Sequence, residues 1–381
     1  MEDEKKAEKQ PRTSPWPLYE AAALGLRNYW YPAMLSRSLG KKPVALKILG
    51  EDLVFLRHNG KAYALEDRCA HRGVQLSLGQ CRFPGTISCF YHGWTYDIPT
   101  GKLLAVLTEG PDSSLVGKLG IKTYPVQERK SLLWVFIGDI EPPPIEEDVP
   151  EEFLRPDAIV ESRVTVRKGN WRLGAENGLD PGHASYLHRH SVWAEISRMK
   201  FQGGWTKVSA EIEADQWVGY TAEPYIVADF PGVGRWPRDR YMLPRRRPGS
   251  VPYPKVQLHL PCLLRVTHWP SPDMTHYEWY VQVDEQRYRY FQFVVTWTQS
   301  SIHELIFRLR YRLLWKWVAH VLFNNQDAYA VESMEAFYTD DDGWQEERLY
   351  APDAALTAWR RFVHERARGI QPMRTRRQTE R

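Results

Sequence analysis

Cys69-Ala-His71 and, after a gap of seventeen residues, Cys89-Phe-Tyr-His92 put one cysteine and one histidine into each of two short segments. Such a set can hold a [2Fe–2S] cluster, with two thiolates on one iron and two imidazoles on the other. Neutral imidazoles reduce the negative charge around the cluster and raise its potential above that of an all-cysteine centre. Two Cys and two His also suit structural zinc. Zinc fingers, however, usually pair Cys with Cys and His with His. The alternation of types within each half favours the cluster.

A second constellation is Asn177-Gly178-Leu179-Asp180-Pro181-Gly182-His183 with His188, joined far downstream by Asn324-Asn325-Gln326-Asp327 and Glu332. Two imidazoles and one carboxylate on one face of a ferrous ion leave positions open for dioxygen and substrate. His183 and His188 are five apart, one more than the four that stack on a helix face. Either the helix bulges or His188 lies at its end. His190 is two turns from His183, a rise of roughly 11 Å on a regular helix, which excludes a shared metal. Asp180, three residues before His183, is the best candidate acceptor to orient that imidazole. The competing role for Asp180 is a helix N-cap. Asn324, Asn325 and Glu332 fit supporting groups or helix-surface residues equally well.

The elements that carry these residues follow from pattern and punctuation. Short strand-like runs (VALKIL, DLVFLR, KAYAL, TISCFYHGWTYD, KLLAVL, IKTYPV, SLLWVFIGD) fill residues 44–139. Asn59-Gly60 marks a hairpin turn. A small antiparallel β-domain therefore carries the cysteine–histidine loops, with His71 and His92 near loop tips. Residues 141–152, EPPPIEEDVPEE, read as a linker. Beyond it come a strand, a helix around 171–190, and further strands over 204–230 and 256–298. Residues 235–255 hold five Pro and seven Lys or Arg and read as a long exposed loop. Residues 302–322 are helical: Ile302, Leu305, Ile306, Leu309, Leu313, Trp317 and Val321 recur at three-to-four spacing. Arg308, Arg312 and Lys316 line another face, which is either simply solvated or a docking face for an acidic protein. Residues 1–15 and the basic tail read as unstructured.

The 381 residues have room for two domains. No basic stripe interleaved with aromatics points to nucleic acid. Cys81 and Cys262 give no reason to pair, which suits a reducing cytoplasm. The charged start lacks the apolar core of a secretory signal. No apolar run is long enough to span a membrane.

The stretches RNYWYP, DRCAHRGVQLS, CFYHGW, GNWRLGAENGLDPGH and FNNQDAYAVESMEAFYTDDDGW resemble those of the Rieske non-haem iron aromatic-ring oxygenases. The resemblance covers most of the chain. It implies an α+β fold: an N-terminal all-β Rieske domain over 29–150 and a catalytic domain over 151–381. The latter is a central antiparallel sheet covered by helices, with residues 1–28 packed on it. It implies cluster ligands Cys69, His71, Cys89 and His92, and mononuclear-iron ligands His183, His188 and Asp327. Asp180 matches the acidic residue that links the two centres across a subunit boundary in a homotrimer. The implied chemistry is oxygenation of an aromatic or heteroaromatic ring, with electrons from a ferredoxin and an NAD(P)H-dependent reductase. Two departures bear on the substrate. The second histidine lies one residue further along than in the nearest members, and residues 191–255 have a character of their own. The same centres also serve monooxygenases and demethylases, and a Rieske electron carrier would lack the second iron.

Overall fold

The structure is a computed structural model that describes residues 14–197, 205–224 and 254–373. The charged lead, most of the basic 235–255 loop and the end of the tail lie outside the described residues.

The N-terminal half is built from short antiparallel strands. Val44–Ile48, Glu51–His58, Lys61–Glu66 and Thr123–Tyr124 form one sheet, and Thr86–Ser88, Trp94–Asp97 and Leu103–Val106 form another. The Asn59-Gly60 hairpin takes positive φ at both residues, 47° and 77°, the backbone that Asn-Gly supplies at least cost. Val54, Leu65, Ile87, Tyr96 and Leu103 close a small core that includes the two buried cysteines.

The second half is organised by a seven-stranded antiparallel sheet. Its order is Ala158–Lys168, Arg287–Trp297, Thr275–Asp284, Leu263–Thr267, Val256–His259, Val218–Pro224 and Trp205–Ile212. The strand over 275–284 is buried at nine of its ten positions, so both of its faces are covered. The helix Trp171–Leu179 packs on this sheet and against the helix Asn324–Thr339. Residues 16–28 also join the larger core: Tyr19 is fully buried and donates its hydroxyl to Glu176 at 2.6 Å.

Three features differ from expectation. Residues 141–152 are no free linker. Ile145, Val149 and Phe153 are buried in the larger core, and Phe153 sits edge-on to Tyr277, Trp279 and Phe293 at 5.4 Å. Trp134 of the strand Leu132–Ile137 meets Trp279 at 5.5 Å, so the two halves interlock through aromatic rings. The helix expected over 171–190 is broken. It ends at Leu179, and Asp180 turns to ψ 119° before Pro181, as a residue preceding proline must. The helix expected over 302–322 forms as an α-helix, Ser301–Arg310, that widens into a π-helix, Tyr311–Phe323, and runs on into Asn324–Thr339. Arg308 and Arg312 reach Glu161 at 2.7 and 3.7 Å, so that part of the basic stripe is ion-paired on the fold itself.

Candidate metal centres

The cysteine–histidine turns are near copies of one another. Gly73 N–H donates to the Cys69 carbonyl and Gly93 N–H to the Cys89 carbonyl, at 2.9 and 3.1 Å. Both glycines take positive φ, 73° and 68°, which lets each turn close one or two residues after its histidine. Cys69 and Cys89 are buried, and the His71 and His92 rings are 4.6 Å apart. The Cys69 thiol is pushed up, chiefly by burial, a cost that ligation to a cation reverses. His92 Nδ1 is buried without a hydrogen-bond partner among the described residues. An orphaned imidazole nitrogen beside a second imidazole and two buried thiols fits a [2Fe–2S] cluster of mixed ligation.

Two supporting residues were missed in the sequence. Tyr96 accepts from Ala70 N at 3.0 Å, which leaves its own O–H to donate to Cys69 Sγ at 3.2 Å. Trp94 stacks on His71 at 5.0 Å with planes 8° apart. Phe90 and Tyr91 stand exposed next to His92.

The second site gathers His183, His188 and Asp327, whose ligand atoms all lie within 4.8 Å of one another. The break at Pro181 makes this possible. His183 and His188 flank a single turn, Ala184–Leu187, as its two caps. The five-residue spacing therefore brackets one turn, with no bulge in a longer helix. His190 is exposed and stands outside the set.

Hydrogen bonds fix how the rings face. His183 Nδ1 lies 2.7 Å from the Asp180 carbonyl and His188 Nδ1 lies 2.8 Å from Gln326 Oε1. Both partners are acceptors, so each Nδ1 carries the proton and each Nε2 keeps its lone pair. Those Nε2 atoms sit 3.6 and 2.9 Å from Asp327 Oδ1. Asn177 donates to the same oxygen at 3.0 Å. Burial pushes the Asp327 carboxyl up, but its partners His188, His183 and Asn177 outweigh this and hold it below the usual carboxylate range. Two imidazole lone pairs converging on one carboxylate fit a ferrous ion with open positions.

Asp180 does not act as expected. It is the end of one helix and lies off the face of the next. Its backbone carbonyl, not its carboxylate, orients His183. Its side chain accepts from Gly182 N at 2.7 Å and so caps the turn that leads into Ala184–Leu187, the local capping role that Asp-Pro offers.

Behind the metal set lies a buried polar chain that the sequence analysis did not identify. Tyr311 meets His320 Nδ1 at 3.1 Å, His320 Nε2 meets His276 Nδ1 at 3.3 Å, and His276 Nε2 meets Glu278 Oε1 at 2.6 Å. Asn324 donates to Glu278 at 2.7 Å and to Tyr290 at 2.8 Å, and so is a buried support. Asn325 accepts from Arg167 at 3.2 Å, and Glu332 is exposed. Burial pushes Glu278 up, but His276 pulls it down further, and the net shift is downward. Burial, with the charge of nearby His276, drives His320 well below its ordinary value. His276 and Glu278 alternate on one strand and so share a face, the one signal that could have paired them. An aromatic wall joins this chain to the metal site. Phe323 stacks on His188 at 3.7 Å, and Trp269 lies 5.4 Å from Phe323 and 4.6 Å from His276.

Residues 136–371 match the homotrimeric ring hydroxylase family and residues 29–125 match the Rieske [2Fe–2S] domain. The terminal oxygenase component of carbazole 1,9a-dioxygenase from Sphingomonas sp is 39% identical over 371 residues, 95% of this chain and 97% of that protein. The solved terminal oxygenase of carbazole 1,9a-dioxygenase from Novosphingobium sp. KA1 superposes with a TM-score of 0.83 at 36% identity, covering 94% of this chain and 97% of that one. The reduced complex between oxygenase and ferredoxin in carbazole 1,9a-dioxygenase also gives 0.83, at 35% identity, covering 93% of each chain.

Proposed function

Because the chain belongs to the homotrimeric ring hydroxylases that carry a Rieske domain, we propose that it is the terminal oxygenase of a multicomponent dioxygenase for carbazole-like fused or heteroaromatic rings. Its electrons come from a ferredoxin served by an NAD(P)H-dependent reductase, and it works in the cytoplasm. Among the described residues no helix is long and apolar enough to cross a membrane. The observation that carries the reading is the His183–His188–Asp327 set, closed within 4.8 Å, in a chain that also holds the two cysteine–histidine turns. We assign the cluster to Cys69, His71, Cys89 and His92 and the ferrous ion to His183, His188 and Asp327. The cluster would supply electrons singly and the ferrous ion would activate dioxygen. We assign residues 29–150 to the Rieske domain and 151–381 to the catalytic domain; the separate small core under the cluster turns lies within the first.

The chain's own residues do the positioning. The Asp180 carbonyl and Gln326 hold the two imidazoles by their Nδ1 protons, so both lone pairs face inward. Asn177 keeps the Asp327 carboxylate turned the same way. Phe323, Trp269 and Trp193 form an apolar wall beside His188. The Asp180 carboxylate, at the turn before His183, is the group we assign to a cluster histidine of the neighbouring subunit. The exposed His71 edge with Phe90 and Tyr91 suits such a contact.

The test is product analysis with labelled dioxygen, using a reconstituted ferredoxin and reductase and a panel of fused-ring substrates. Both labelled atoms in one ring product is the expected result. One labelled atom, with the other in water, would make the enzyme a monooxygenase or demethylase. For the bridge, Asp180→Asn should keep both metals while cluster reoxidation in a single turnover slows sharply.

A further inference from the structure

Two of the groups that aim the iron ligands sit on one helical turn. Asn177, on the last turn of Trp171–Leu179, donates to Asp327 Oδ1 at 3.0 Å. Asp180, which ends that helix, holds His183 through its carbonyl. Its own N–H is tied back to the Glu176 carbonyl at 2.9 Å. A swing of this turn would displace an imidazole and turn the carboxylate at once.

The turn is held from two sides. On the sheet side the helix lies close against Tyr280 through Gly174 and Gly178. A Cβ at either position would come within 2.8 Å of the Tyr280 ring or its hydroxyl. Glu176 is two residues from each glycine, roughly 200° round the helix, and so faces away from the sheet. There it meets Arg360 of the helix Ala354–Arg366 in a forked pair, Nε to Oε1 at 2.8 Å and Nη2 to Oε2 at 2.7 Å. The guanidinium continues to Glu347, and the Trp16 and Trp344 rings lie 5.4 and 5.0 Å from it. The Arg360 and Glu176 side chains are 1% and 7% exposed. They are buried within one protomer, so a neighbouring subunit neither covers nor completes the pair.

A buried ion pair is a weak source of stability. Its desolvation cost offsets its attraction, and packed apolar side chains of similar volume often serve as well. What the fork adds is geometry. A guanidinium that donates two parallel bonds to one carboxylate fixes distance and angle together. The first end of the helix is already fastened to the helix Asn324–Thr339, since Glu335 accepts from Asn170 N at 2.8 Å. The fork therefore sets the placement of the other end, the turn beside the iron ligands.

We propose that Arg360, acting through Glu176, is a positioning residue for the mononuclear iron site. It holds residues 176–180 where Asn177 and the Asp180 carbonyl keep Asp327 and His183 converged. This rests on the assignment of His183, His188 and Asp327 as the iron ligands.

The experiment is chelator competition for the mononuclear iron of the full-length holoenzyme, with the Rieske absorbance as internal standard. Arg360→Lys keeps the charge and loses the fork. It should weaken iron retention roughly tenfold, the low end for an outer support, with the Rieske spectrum and sedimentation coefficient unchanged. Glu176→Gln should act in the same direction. Tyr19→Phe removes one donor to Glu176 and keeps the buried ring, and should give a smaller loss that remains readable if Arg360→Lys does not fold. Phe153→Leu, a change in the same large core away from this turn, is the control. It should lower stability to denaturant while iron retention stays that of the wild type. Arg360→Lys should cost less in an Asn177→Ala background than in the wild type, because the two act along one route. Wild-type retention in Arg360→Lys and Tyr19→Phe overturns the proposal, as does an equal loss in Phe153→Leu or full additivity with Asn177→Ala. His188→Ala separates the two levels of the argument. If it keeps the iron, the ligand assignment falls; if it loses the iron while Arg360→Lys does not, only the positioning role falls.

Discussion

The cysteine–histidine turns hold their ligands with local backbone. Each Cys carbonyl is tied to a glycine four residues on, and each histidine lies between them. The His183–His188–Asp327 set has no such local frame. One helix end and one single turn supply the imidazoles, and the carboxylate comes from a helix about 140 residues later in the chain. Asn177 and Gln326 cross that gap. A site made of turns depends on the conformation of a few residues. A site made of packed helices depends on every contact that sets their relative position, so its sensitivity reaches further from the metal.

The largest effects fall on the ligands. His188→Ala and Asp327→Ala should each lose the mononuclear iron and abolish turnover while the Rieske spectrum stays intact. His190→Ala should change neither. Metal analysis beside visible absorbance checks this, and loss of iron in His190→Ala would mean the ligand set is wrong. Next comes Gln326→Leu, which removes only the acceptor for His188 Nδ1. Supports of this kind cost about 10–100-fold in metal affinity when removed. Chelator competition should show a drop of that size at the mononuclear site. No comparable single outer support is expected to control retention of the cluster.

The contrast also explains what could be read in the sequence. The cluster turns declare themselves because type and spacing lie within a few residues. The hairpin at Asn59-Gly60 and the strand runs were legible for the same reason. Asp180 does not lie on a helix face before His183, because Asp-Pro at 180–181 breaks the helical run over 171–190. The strap over 141–152 looked like a linker from its proline and acid content. Ile145, Val149 and Phe153, four apart, were the overlooked signal of a buried edge. The Tyr311–His320–His276–Glu278 chain joins a helix to a strand, and nothing local encodes that pairing.

That chain gives the metal-binding half a pH response of its own. His320 is held well below its ordinary value, so below about pH 6.5 the unfolded chain binds a proton that the folded one refuses. Glu278 is held below the usual carboxylate range, so its contribution is present above its unfolded value and is lost as pH falls through the folded one. Both act in the same direction: stability drops on acidification. The slope should approach about 1.4 kcal/mol per pH unit for each unmatched proton. Denaturant unfolding read by tryptophan fluorescence should show the fall beginning below pH 6.5. His320→Phe should flatten its first part and leave the lower part, owed to Glu278, in place. An unchanged profile would mean the two histidines are not the coupled pair described.

The smallest effect is at the cluster. Tyr96 gives its hydroxyl proton to Cys69 Sγ because Ala70 N–H already occupies its lone pair. Such a bond strengthens as the sulfur gains negative charge, so it favours the reduced cluster. Tyr96→Phe removes it while keeping the buried ring that packs in the small core. A hydrogen bond to a charged acceptor is worth roughly 1.5–3 kcal/mol. Only the difference between oxidation states reaches the potential. A difference on the order of 1.4 kcal/mol corresponds to about 59 mV for one electron, and the variant should be more negative by up to that amount. Spectroelectrochemistry of the Rieske absorbance reads it directly. Iron content at the mononuclear site should stay full, since nothing in the Tyr96 contact reaches the His183–His188–Asp327 set. A potential unmoved by Tyr96→Phe would mean that the hydroxyl proton points away from the sulfur. A loss of mononuclear iron would instead show that the two ligand sets are coupled through the fold.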